Sequence, residues 1–314
     1  MDAVVFWGFG KRFSAVATLP AAAGSRYDGV MANLLDREEY IEQAYFYRMF
    51  RERLSANMAT QDILEHVHQE ILSITRLPLA IQFLATELKH SGILASGFAR
   101  LPHYFTPFQT FVISQAEKEG LRFNMETALL ILEREAKYRA ENLSPAGLFV
   151  YQFEALSRNR LGYDQGLDAM RADPYFDADW RSYLEMVRNQ IGVVDFADLV
   201  YLRSQFYVQE QKRQEPAYEA PLPPLFGEKE GKIARANRGR DPLYLFAALQ
   251  RQLGYPEVPR SKPRDDLEAK LLTLQAKMRE MEIRLKLVEG EVKGQVDLSQ
   301  FLARPESLPR PDED

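Results

Sequence analysis

The chain of 314 residues contains no cysteine. That absence removes disulfides, thiolate zinc sites, iron–sulfur ligation and cysteine nucleophiles together, and nothing in the sequence demands an oxidising compartment, so a cytoplasmic location is expected. No run of about 18 apolar residues occurs, so no membrane span is expected. There is also no Gly-rich phosphate loop, no G-x-S-x-G elbow and no H-E-x-x-H helix, and hence no motif that names a reaction. Gly8-Phe9-Gly10-Lys11-Arg12 lacks the preceding strand that a phosphate loop needs. Nor is strand-type alternation sustained over six residues within the candidate folded region. With 45 acidic and 40 basic residues the formal net charge is −5, which argues against a general nucleic-acid or anionic-membrane binder.

What the sequence does have is helical periodicity. From Asp36 to Leu54 the apolar residues Tyr40, Ile41, Ala44, Tyr45, Tyr47, Met49, Phe50 and Leu54 recur at steps of three and four. Thr60 opens a second helix with the stripe Ile63, Leu64, Val67, Ile71 and Ile74, running to about Thr75. Further helices are expected from Pro78 to His90, up to Glu119, over Met125–Ala140 behind the cap Asn124, and from Ser144-Pro145 to Arg160. Two short ones follow, then one from the cap Asp195 to about Arg213. The expected fold class is all-α: a compact domain of about eight helices over residues 33–213, with connections of mostly three to six residues.

Residues 1–32 differ in being poor in charge and rich in Ala, Gly, Val and Phe. Lys11 and Arg12 before Ala21-Ala22-Ala23 match a signal peptide poorly, because Ser14, Thr18 and Pro20 interrupt the apolar run. The expectation is a disordered leader, or a mis-assigned start ahead of Met31.

Eight prolines fall between Gln214 and Asp266, so residues 214–266 read as a Pro-rich linker with a short helix near 242–252, capped by Asp241 and opened by Pro242. The strip Lys232, Arg235, Arg238 and Arg240 lies just before it. Segment 232–253 reads either as a docking site for a protein partner or nucleic acid, or as a linker helix folded back on its own domain. The apolar Leu243, Leu245, Phe246 and Leu249 favour the second reading.

The clearest signal lies at 267–293. Leu267, Leu271, Leu274, Met278, Met281, Leu285, Val288 and Val292 are separated by steps of 4, 3, 4, 3, 4, 3 and 4, the repeat of a coiled-coil seam. With Leu271, Met278, Leu285 and Val292 at the a positions, Lys277 and Arg284 fall at g and Glu282 and Glu289 at e. In a parallel pair, Lys277 faces Glu282 of the other chain and Arg284 faces Glu289. In an antiparallel pair several like charges meet. Each exposed pair contributes only about 0.2–1 kcal/mol, but all favour the parallel arrangement. The a positions lack β-branched residues apart from Val292, so a trimer stands beside the dimer. Residues 294–314 read as a disordered tail.

One constellation suggests chemistry. Glu65-x-x-His68 and Glu87-x-x-His90 each place a carboxylate and an imidazole on one helical face, and Glu42 and Glu133 could add one carboxylate from each of two more helices. This resembles the ligand set of the ferritin-like di-iron proteins, which implies iron or manganese and an oxidoreductase or metal-binding role. The competing reading is surface and cap histidines with no cofactor. Taken together, the residues point to a non-enzymatic helical scaffold or adaptor that binds further copies of itself. The di-metal protein and a nucleic-acid accessory protein remain the alternatives.

Overall fold

The computed structural model describes residues 35–118, 123–141, 143–261 and 267–292, the last with side chains for 274–286. The expected leader and tail lie outside the described residues. Among those described there are fourteen helices and no strand, and no helix is long and apolar enough to cross a membrane.

Helix α1 (Arg37–Ser55) buries Tyr40, Ala44, Tyr47 and Phe50, the i, i+4, i+7 and i+10 positions of one face. Asp36 occupies its N-cap without a side-chain cap bond, and the first turn carries Glu38 and Glu39, where acids suit the dipole. Helix α2 (Thr60–Val67) stops well short of Thr75. After Val67 the backbone tightens into turns, with the Gln69 and Glu70 amides donating to the carbonyls of His66 and Val67 (3.1 and 3.0 Å); farther on, α1 carboxylates take the amides of Leu72 (Glu42, 3.1 Å) and Arg76 (Glu39, 2.8 Å). Helix α3 (Leu77–Ser91) ends at Gly92 in the left-handed conformation. The sequence does not announce α4 (Leu94–Ala99). The Glu117 carboxylate, from the end of α5 (Pro107–Glu117), caps it by accepting from the Leu94 and Ala95 amides (2.6 and 2.8 Å).

Helix α6 (Met125–Glu141) lies along α1, and Asn124 caps it through the Thr127 amide (2.9 Å). Helix α7 (Pro145–Asn159) is buried along most of its length. Helices α8 (Tyr163–Arg171) and α9 (Ala178–Gln190) pair with each other. The helix expected over 195–213 is two, α10 (Phe196–Leu202) and α11 (Gln205–Gln214). Between them the Arg203 carbonyl accepts from the amides of Leu225 and Phe226, and the Gln205 amide donates back to Phe226 (2.8 Å). This exchange pulls the backbone out of helix, and Ser204 then caps α11. The expected count of about eight therefore rises to eleven over this region.

The stretch read as linker joins the body from Leu225 onward. It carries α12 (Glu228–Ala236) and α13 (Pro242–Leu253), which pack on α10 and α7 respectively. Phe226, Ala234, Leu245, Phe246, Leu249, Tyr255 and Val258 are all buried. Prolines interrupt the helices here, but they do not remove the driving force to bury the apolar residues between them. The aromatic core shows the result. Phe153 stacks on Phe196 (4.1 Å between centroids), and Phe149 touches Trp180, Tyr183 and Phe226 within 6.0 Å. Such ring pairs contribute about 0.5–1.5 kcal/mol each beyond their burial.

Residues 254–261 then cross the surface of α6 and α7 as an extended strap. The Tyr255 hydroxyl donates to Glu154 (2.7 Å), and the Asn159 side chain holds both the Pro259 carbonyl (3.0 Å) and the Ser261 amide (2.9 Å). Beyond it, α14 (Leu267–Val292) is 26 residues long, about 39 Å at 1.5 Å per residue. Every side chain described on it, from Leu274 to Lys286, is exposed.

Candidate functional site

Helix α14 leaves a line of large apolar side chains in water. Leu274, Met278, Met281 and Leu285 are 57%, 58%, 60% and 62% exposed. A three-four spacing places them on one face of the helix. Leu267, Leu271, Val288 and Val292 lie on the same helix, but their side chains, like that of Glu289, are outside the described residues. Lys277 and Glu282 flank the line. Arg284 reaches back to Glu280 within its own helix (2.7 Å). Ile283 is 60% exposed at the f position, away from the seam, and the heptad pattern gives no reason for it.

The basic strip is largely neutralised. Lys232 pairs with Glu228 (2.6 Å), Arg235 with Glu210 and Arg238 with Asp198. Arg235 and Lys232 also lie over the Phe206 ring, and Arg238 over Tyr201 at 4.3 Å. Three of the strip's four cations thus contact α10 or α11, while their side chains stay about half exposed. Sequence proximity groups these cations, but the fold supplies an anion for each of the three.

The six groups considered as metal ligands are not brought together. Glu65 binds Lys89 (2.6 Å) and Gln61 (2.8 Å), and the Lys89 bond above all lowers its pKa. Glu87 accepts from Ser96 (2.7 Å) and Arg100 (2.6 Å). Glu42 holds the Leu72 amide, and Glu133 pairs with Arg51 (3.2 Å) and Lys137 (2.5 Å). His68 follows the last residue of α2, and His90 is exposed in the last turn of α3. Among the described residues no three His, Cys, Asp or Glu side chains converge as a metal ion requires. The carboxylates instead act as helix-to-helix acceptors, which is common for Glu in a chain rich in both helix and Arg.

Sequence reasoning missed a buried ionic network. On α6, Arg139 donates through Nε and Nη2 to Glu135 Oε1 (2.8 and 2.6 Å), and Nη2 also reaches Asp173. Gln152 of α7 donates to the same Glu135 oxygen (3.1 Å). The side chains of Glu135, Arg139 and Asp173 are fully buried. The i, i+4 spacing of Glu135 and Arg139 was visible, but such a pair reads as solvated unless burial is known. Burial, aided by Asp173, pushes the Glu135 carboxyl above the ordinary range against the pull of Arg139. Burial also works to lower Arg139, but Asp173 and Glu135 outweigh it and keep the guanidinium charged. Glu135 Oε2, Gln152 Oε1 and the Tyr47 hydroxyl have no hydrogen-bond partner among the described residues.

A raised folded-state pKa gives stability that is present below the unfolded value, about 4.3, and lost as pH rises through the folded one. Glu135→Gln keeps an acceptor for Arg139 and adds a donor where Oε2 is unpartnered. The variant is therefore expected to gain stability relative to the wild type as pH rises from about 4, just below the unfolded value, to about 8. Urea unfolding at both pH values checks this, and an unchanged difference would contradict it.

No protein-family model matches this chain, and no curated protein or solved structure does either.

Proposed function

We propose that this protein is a non-enzymatic scaffold or adaptor that self-associates through α14 as a parallel coiled coil, presenting its helical body in more than one copy. The observation that supports this is the exposed line Leu274, Met278, Met281 and Leu285, flanked by g and e charges that attract only between parallel chains. An apolar seam left in water favours association by about 25 cal/mol per Å2 covered. A second copy of the same helix is the occupant whose charges complement it, Lys277 against Glu282 and Arg284 against Glu289. Joining copies raises avidity for any partner that the body binds, without adding a contact on the body.

Direction can be tested cleanly because the chain has no cysteine. In a parallel coil, position 281 faces itself across the seam. Met281→Cys is therefore expected to form a covalent dimer under mild oxidation, at a separation that disulfide geometry allows. A variant that associates but keeps its thiol reduced would reject the parallel arrangement.

A further inference from the structure

Two of the seam residues differ chemically from the leucines on either side. Met278 and Met281 are consecutive seam positions, three residues apart on one face of α14. At 58% and 60% they are far more exposed than Met58 at 39%, and Met49, Met125, Met170 and Met186 are half-buried or buried. In a chain without cysteine, these two are the most exposed sulfur-containing residues among the described ones. They lie between Leu274 and Leu285, whose side chains offer no hydrogen-bond donor. An apolar seam accepts a thioether, but it leaves a sulfoxide oxygen without a partner.

We propose that Met278 and Met281 form an oxidation site through which a peroxide controls self-association, an inference that rests on the coiled-coil reading above. Each thioether sulfur attacks one peroxide oxygen. The O–O bond breaks as the S–O bond forms, and the remaining oxygen leaves as water after proton transfer. Sulfur loses two electrons and the peroxide gains them. The reaction proceeds on the separated chain, where the sulfur atoms are open, and the associated seam shields them. Oxidation thus traps the separated form until a methionine sulfoxide reductase, drawing on a thiol, restores the thioether.

The test compares the wild type with a Met278→Leu, Met281→Leu variant before and after hydrogen peroxide treatment. Peptide mass analysis confirms oxygen on both methionines, and light scattering reports mass against concentration. The oxidised wild type is expected to associate about 100-fold more weakly, while the double leucine variant associates equally before and after treatment. A doubly oxidised wild type that stays associated would overturn the oxidation site alone. So would a leucine variant that dissociates to the same extent. A wild type that is already monomeric before treatment would overturn the coiled-coil reading and this proposal with it.

Discussion

Arg139→Met is expected to destabilise the body by about 3–5 kcal/mol. The substitution keeps most of the side-chain volume but removes the cation that lies between Glu135 and Asp173, both of which are fully inaccessible to solvent. Two carboxyl groups would then share a site between α6 and the turn after α8, with Gln152 the remaining side-chain donor to Glu135. Domains of ordinary stability have about 5–15 kcal/mol in all, so the loss would be large in a urea titration. Combining Arg139→Met with Glu135→Gln and Asp173→Asn should recover much of it, because the buried charges leave together. A loss below about 1 kcal/mol for the single variant would mean that the network is solvated rather than buried.

Met278→Asp is expected to abolish self-association at micromolar concentration while leaving the body folded. It places a carboxylate in the middle of the seam on every chain, with apolar neighbours at Leu274, Met281 and Leu285. An uncompensated charge there costs roughly 3 kcal/mol, which corresponds to about a 100-fold weaker association. The body should not respond, because the side chain at 278 is exposed and makes no core contact. Unchanged thermal unfolding together with a loss of mass in light scattering is the expected pair of results. If the mass is unchanged, association does not use this seam.

The helices themselves were legible wherever an apolar face and a cap coincided, as at Asn124 before α6, Ser144-Pro145 before α7 and Asp195 before α10. Their ends were less so, because side chains far along the chain decide them. The backbone turns off after Val67, and Glu42 of α1 takes the Leu72 amide, although Ile71 and Ile74 keep the helical stripe going. Glu117 caps α4 from another helix, which no local pattern announces. The Pro-rich stretch misled in a similar way. Proline density correctly predicts broken helix, yet Phe226, Phe246 and Leu249 complete an aromatic core whose other half lies on α7, α9 and α10.

The candidate site divides along the same line. The heptad repeat is local, so helix α14 and the exposed apolar line along it could be read directly from spacing. The pairing of Arg235 with Glu210 and of Arg238 with Asp198 is not local, so the basic strip looked more available than it is. Glu-x-x-His places two groups on one face but says nothing about where neighbouring helices point their carboxylates. Here they point toward Arg51, Lys89, Arg100 and Lys137.

Light scattering on the full-length wild-type protein, followed from low to high micromolar concentration, tests self-association most directly. The seam and its flanking charges predict a mass rising to two or three chains, with the Met278→Asp variant staying at one. A wild type that holds the mass of a single chain throughout that range would contradict the account.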